Sequence, residues 1–521
     1  MPQMAPPDLG WQEKPDEKLP VGVTQPTPSP DPTSRHPVGT VPGILEAYPE
    51  YIKTARLDDL RKLEYAYLDE QDHVYLDYTG AGLAAKSQIA AHAARLAGAV
   101  FGNPHSSSPT SEAATALVQL TRARVLKHFH ASPDEYAVIF TPNASGAARL
   151  VGESYPFRRR SRLVLTFDNH NSINGVREFA RRRGAKTAYV PATFPDLRVD
   201  TAAITSALKR RRGLVPAICT KGNRRGLFAY PAQSNFSGVR HPTTWIGLAQ
   251  REGYDVLLDA AAYLPTGTLD LSVVKPEFVI VSWYKLFGYP TGVGCLIGRK
   301  DALRRLKRPW FAGGTVMGVT VGAQWHALAD DETAFEDGTL NFLSIPDVVV
   351  GLDWLADIGM SVIQTRVRCL TGWFLDRLLT MRHRDGKPMT VVYGPTDMAS
   401  RGSTVSFNFI DAEGKIVDER LVALESAAAR ISLRAGCFCN PGASENAFGL
   451  DIWSLLGAAS LGQTTNLDKI LRRLGMPTGG AIRVSFGLAS NVADVNRFFA
   501  FAETYRDRVT SASGLIPRER C

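Results

Sequence analysis

The chain has little cysteine and no long apolar run. Six cysteines in 521 residues, at 219, 295, 369, 437, 439 and 521, are too few for a disulfide scaffold and suit a reducing compartment. No uncharged apolar stretch reaches 18 residues, and mean hydropathy is -0.11, so a transmembrane helix and a membrane partner are not expected. The N-terminus lacks a basic segment followed by an apolar one, and Asp8, Glu13, Asp16 and Glu17 are unlike an acid-poor transit peptide; the expected location is the cytosol. No Walker A loop is present: Gly386-Lys387 and Gly414-Lys415 are followed by Pro and Ile rather than Ser or Thr. Gly292, Gly294 and Gly298 have the wrong spacing for a dinucleotide fingerprint. The Cys437/Cys439 pair has no second Cys or His pair at zinc-like spacing, so no metal is expected. The net charge is +9, dispersed in short runs such as Arg158–Arg160 and Arg181–Arg183. Such runs are usually solvated faces, so nucleic acid is not an expected partner.

Composition divides the chain in three. Twelve prolines fall in the first 50 positions, and residues 1–45 read as a disordered Pro-rich tail that cannot bury a core. Residues 46–345 alternate short apolar runs with helical stretches. Strands are expected at 137–140, 163–167, 188–190, 214–219, 256–258, 278–281 and 293–297, giving a mostly parallel sheet covered on both faces. Residues 346–521 read as a smaller α+β lobe: one long helix over 346–379, strands at 390–393, 404–409 and 481–486, and helices over 418–430 and from about 492.

In parallel α/β sheets ligands bind beyond the carboxyl ends of strands, and five segments lie there. Thr141 to Gly146 is a small-residue turn opening a helix: a phosphate site, or only a helix cap. His170 follows a strand and could lie flat on an aromatic ligand, or be an ordinary loop His. Asp259 closes an apolar strand, where a buried carboxylate needs a partner such as a protonated pyridine nitrogen; helix capping is the alternative. Lys285, set among Trp283, Tyr284, Leu286 and Phe287, is a poor surface residue, and desolvation would make its amine nucleophilic. Cys437 and Cys439 share a Gly/Pro-rich loop with Arg434, a setting for exposed thiolates. A phosphate cradle, a ring-stacking His, a pyridinium partner and a Schiff-base Lys together suit pyridoxal 5'-phosphate.

The segments Tyr75 to Ala81, Phe101 to Ser106, Pro231 to Gly238, Tyr284 to Gly292, Gly436 to Gly442 and Arg483 to Gly487 resemble the class V aminotransferase and cysteine desulfurase group of fold type I pyridoxal phosphate enzymes. Within it, the desulfurase-like domain of the molybdenum cofactor sulfurases is the most similar, over about 75–505. The resemblance implies a large domain with a mostly parallel seven-stranded sheet and a smaller C-terminal α+β domain. It implies that Lys285 carries the cofactor, Asp259 holds the pyridine nitrogen and His170 stacks on the ring. Ala144, Ser145 and Ser282 would bind phosphate. Asn235 would approach the cofactor hydroxyl or the substrate, and Thr339 would reach the phosphate across a homodimer interface. Arg483, with Arg434 nearby, would take the substrate carboxylate, and Cys439, or else Cys437, would be the sulfur nucleophile. Ala262 and Tyr284 stand where many desulfurases have Gln and His. The expected reaction is sulfur removal from L-cysteine, or a related sulfur amino acid, through a protein persulfide passed to an acceptor. The alternative is a stand-alone C–S lyase, epimerase or transaminase that does not use the cysteine. Long sulfurases continue into a molybdenum-cofactor-binding domain; this sequence ends at Cys521, so delivery to that cofactor is left open.

Overall fold

The computed structural model describes residues 41–104, 106–209, 224–450, 455–457, 467–476 and 478–518. Most of the Pro-rich tail, the strand expected at 214–219, Cys219 and Cys521 lie outside them.

Seven strands build the central sheet: β1 (Tyr136–Thr141), β2 (Arg162–Thr166), β3 (Lys186–Val190), β4 (Gly226–Pro231), β5 (Tyr254–Asp259), β6 (Phe278–Ser282) and β7 (Gly294–Arg299). Their order is β1-β7-β6-β5-β4-β2-β3. The pairs β2/β3, β2/β4, β4/β5 and β5/β6 are parallel, and β7 is antiparallel to both neighbours. Alternate residues feed two cores, as the pleat requires. Ile139, Leu165, Leu257 and Ile280 pack on one face with Ala147, Val151 and Val176. Val138, Val164, Leu258 and Val281 join the larger core on the other face. Both faces are covered, which is why these strands read as unbroken apolar runs.

Strand β4 was not expected from the sequence, because Gly226 and Pro231 at its ends resemble turn punctuation; its interior residues Leu227 to Tyr230 are fully buried. The parallel strands end at Thr166, Pro231, Asp259 and Ser282 on one edge, where β7 begins.

A second sheet contains β8 (Thr390–Tyr393), β9 (Thr404–Phe409), β10 (Arg434–Gly436) and β11 (Ala481–Ser485), in the order β8-β9-β11-β10, all antiparallel. The helix expected over 346–379 is two helices, Asp347–Ile358 and Met360–Thr380, bent by 73° at Gly359. Gly359 has φ 83°, a conformation that favours glycine and ends a helix. Among the described residues no single helix is long and apolar enough to cross a membrane.

The segment 44–78 packs on this second lobe. Arg61 pairs with Asp494 at 2.6 Å, Arg366 pairs with Asp58 at 2.7 Å, and Val74–Tyr75 pairs in parallel with Ile431–Ser432. That pairing brings the following residues, 77–84, to the edge where the central strands end.

Candidate active site

A cavity of about 460 Å³ opens at this edge. Ala144, Ser145, His170, Asn235, Asp259, Ser282 and Lys285 all line it, with Ser172, Gln233, Tyr284, Thr291 and Gly292.

Its anion end is the start of helix Ala144–Ser154. Asn143 caps the helix, its Oδ1 accepting from Gly146 N–H at 2.9 Å. The first N–H groups of a helix have no partner within it, and the dipole favours an anion there. Ser145 Oγ lies 2.5 Å from Ser172 Oγ, joining this turn to the next loop. Gly294 makes the approach possible: a Cβ there would lie 2.6 Å from Asn143 C and 2.8 Å from Ala144 N.

Asp259 ends β5, and its Oδ1 accepts from Ala261 N–H at 3.0 Å, so the helix-cap alternative and a cavity-lining role coexist. His170 caps the short helix Asn171–Asn174, and its Nδ1 accepts from Ser172 N–H at 3.1 Å. Burial lowers the His170 pKa against the opposing pull of Asp259, while Lys285 and Arg483 lower it further. The neutral ring therefore carries its proton on Nε2.

Lys285 lies in the turn Trp283–Phe287 after β6. Burial depresses its amine pKa; Asp259 and Asp77 oppose this, and Arg483 and Arg434 reinforce it. The loop over 80–84 clasps this turn. Gly82 N–H donates to Tyr284 O at 3.0 Å, and a Cβ on Gly288 would lie 2.1 Å from Ala84 N.

The thiol loop meets the cavity through Asn235. Asn235 Nδ2 donates to Phe438 O at 2.8 Å, and Asn235 Oδ1 accepts from Asn440 Nδ2 at 2.8 Å. Its amide thus faces the loop, although the residue lines the cavity. Phe438 and Cys439 both adopt left-handed backbone, φ 57° and 54°, which costs non-glycine residues energy and is kept only where surroundings enforce it. Cys439 is exposed with a free thiol, whereas Cys437 is buried. Cys295 and Cys369, the other free thiols among the described residues, are buried.

Arg483, Arg434 and the two loop cysteines do not line the cavity itself. Buried Arg483 donates from Nη1 to Asn235 O at 3.1 Å and from Nη2 to Asp77 Oδ1 at 2.7 Å. Thr339 also lies elsewhere. It lines a neighbouring cavity of about 430 Å³, which shares Pro142 and Gly292 with the first, and its Oγ1 accepts from Asn103 Nδ2 at 3.3 Å. The sequence alone assigns no role to Asp77 or Ser172. Asp77 sits within a recognised motif, but nothing local in sequence shows that it faces two arginines more than 350 positions away.

The donor set fits pyridoxal 5'-phosphate. A helix N-terminus with hydroxyls, a carboxylate at a strand end, a flanking imidazole and a buried amine share one cavity.

Residues 74–498 match the model of the aminotransferase class-V family. A molybdenum cofactor sulfurase of Solanum lycopersicum is 36% identical over 86% of this chain and 57% of its own length. That of Bos taurus is 34% identical over 85% and 51%. The chain thus spans about half the length of these curated relatives. Among solved structures, a cysteine desulfurase from Thermococcus onnurineus superposes with TM-score 0.68 at 22% identity, covering 86% of this chain and 97% of that one. The cysteine desulfurase CsdA of Escherichia coli gives TM-score 0.65 at 19% identity, covering 86% and 98%. These two likenesses concern the fold alone.

Proposed function

Because the chain belongs to the class V aminotransferase family, and is thereby a pyridoxal phosphate-dependent enzyme of the cysteine desulfurase type, we propose that it removes sulfur from L-cysteine onto Cys439. The observation that carries this reading is the placement of the exposed Cys439 thiol. It lies on a strained loop whose backbone is bonded to Asn235 and Asn171, beside the cavity that holds Lys285 and His170.

When bound, the cofactor supplies the electron sink that makes the substrate's Cα–H acidic. The chain's own residues do the rest. In this reading Arg483 supplies the cation for the α-carboxylate, a task suited to a guanidinium fork. Lys285 Nζ, whose pKa burial lowers, takes the Cα proton. The Cys439 thiolate attacks the substrate Sγ. The Cβ–Sγ bond breaks with its electron pair left on Cβ, which a proton then captures, and Lys285 Nζ returns its proton to Cα. The products are alanine and a Cys439 persulfide, whose outer sulfur passes to a thiol or cofactor acceptor.

The working unit in this reading is a symmetric homodimer. Met317, Val321 and Trp325 are 77%, 91% and 54% exposed on and beside the hairpin Val316–Thr320/Trp325–Leu328. Exposed Trp310 lines the same cavity as Thr339. Exposed apolar side chains of this kind support an interface. Pairing would bring Thr339 to the partner's phosphate end.

The test is product analysis. Cofactor-loaded protein incubated with L-cysteine should release alanine; pyruvate in its place would mean β-elimination and would remove the persulfide reaction.

A further inference from the structure

Arg434 on β10 and Arg483 on β11 are directly paired in the antiparallel register. Like charges facing each other across adjacent strands repel, and one of these arginines is buried. Asp77 lies between them. Its Oδ1 accepts from Arg483 Nη2 at 2.7 Å, and its Oδ2 accepts from Arg434 Nε at 3.0 Å and pairs with Arg434 Nη2 at 2.7 Å.

The carboxylate is itself fixed. Asp77 forms a parallel bridge to Ser485, Ser485 N–H donates to Leu76 O at 2.8 Å, and Thr79 N–H donates to Ser485 Oγ at 2.8 Å. Gly80 leaves the room it needs: a Cβ there would lie 2.4 Å from Asp77 Oδ2 and 2.7 Å from Arg434 Nη2. Arg483 is thus held at two corners, by Asp77 and by Asn235 O, over the Phe438 ring at 4.8 Å. Its Nε is buried and has no hydrogen-bond partner among the described residues.

We propose that Asp77 is the positioning residue of the site: it aims the Arg483 fork at the substrate α-carboxylate and ties Arg434, on the strand that leads into the thiol loop, to the same point. This rests on the reading that the site takes an amino acid. A residue that only neutralised two cations would matter equally for ligands with and without a carboxylate. A positioning residue matters for the carboxylate alone.

The experiment uses the full chain loaded with pyridoxal phosphate, titrated with L-alanine and with L-alaninamide. The two share amine and side chain and differ in the carboxylate. Displacement of the visible band reports binding of each. The parent should prefer alanine. Asp77→Asn should lose about tenfold of that preference, the scale of one charge-assisted contact, with alaninamide affinity unchanged and the effect on cysteine turnover carried by KM. An unchanged preference, or equal weakening for both ligands, would overturn the proposal. Should Asp77→Asn fail to retain cofactor, Asp77→Asn combined with Arg434→Gln removes the unbalanced charge. That double variant should load and show less preference than Arg434→Gln alone; equal preference would overturn the proposal. The alanine and alaninamide titrations need no turnover. A protein that binds alanine as expected yet releases none from cysteine would sink the proposed reaction and leave the role of Asp77 standing.

Discussion

The backbone N–H of Asn171 donates to the carbonyl of Cys439 at 2.7 Å. Asn171 follows His170 and opens the same short helix, so the thiol loop is fixed to the element that places the imidazole at the cavity. The left-handed backbone of Cys439 is held from three sides, through this bond, through Asn235 Nδ2 to Phe438 O, and through Asn440 Nδ2 to Asp168 O at 2.7 Å.

This arrangement separates the two loop cysteines. Cys439→Ser should lower alanine release by about 10³-fold or more, because a hydroxyl at neutral pH cannot replace a thiolate nucleophile. The visible cofactor band should stay intact, since no residue at the phosphate end is altered. Cys437→Ser, at a buried sulfur rather than the exposed one, should keep alanine release within about threefold of the parent. Parent-rate turnover by Cys439→Ser would remove Cys439 as nucleophile.

Asn440 should be the structural key to the loop. It is fully buried, it bonds Asp168 O and Asn235 Oδ1, and its own Oδ1 accepts from Ala443 N–H at 3.2 Å as cap of the helix Pro441–Ala447. Asn440→Ala leaves Asn235 Oδ1 and Asp168 O short of a donor, at a cost of about 1–3 kcal/mol. Thermal denaturation should show the loss, and kcat should fall more than cofactor affinity. A variant with parent melting temperature and kcat would show that the loop holds its shape without these bonds.

Gly294→Ala tests the phosphate end. The new Cβ meets backbone atoms of Asn143 and Ala144 that cannot swing aside as a side chain would. Either β7 or the helix start has to shift. The expected outcome is cofactor that dialyses away while the far-ultraviolet spectrum stays native. Full cofactor retention after dialysis would mean that the helix start is not the phosphate cradle.

Much of this site was legible because its chemistry is local. Strands β1, β2, β5 and β6 announce themselves as β-branched apolar runs, and Asp259, Ser282 and Lys285 follow directly at or after their ends. Ser145 and His170 follow the ends of β1 and β2 by the same rule. What stayed hidden depends on distant partners. Asp77 gains meaning only when the Val74–Tyr75 pairing carries it to β11. Asn235 could be placed at the cavity, but not the turn of its amide toward Phe438 and Asn440. Thr339 lines a neighbouring cavity in a single chain. Strand β4 and the break at Gly359 were missed because glycine and proline punctuate strands, turns and helix ends alike.

The last prediction follows the charge around Lys285. Burial lowers its pKa, Asp259 and Asp77 raise it, and Arg483 and Arg434 lower it, with a net fall. Burial lowers the His170 pKa as well, which favours its uncharged form. Only the unprotonated amine can attack the aldehyde of pyridoxal phosphate, so capture of the cofactor by cofactor-free protein should quicken as pH rises. The midpoint should lie below that of an ordinary lysine. Asp77→Asn removes an anion that favours the ammonium form, so that midpoint should move lower still. Asp259→Asn should move it in the same direction, and Arg434→Gln should move it up. Stopped-flow absorbance between neutral and alkaline pH reads all four proteins. A midpoint at the ordinary lysine value, or an Asp77→Asn shift to higher pH, would show that these charges do not set the reactivity of Lys285.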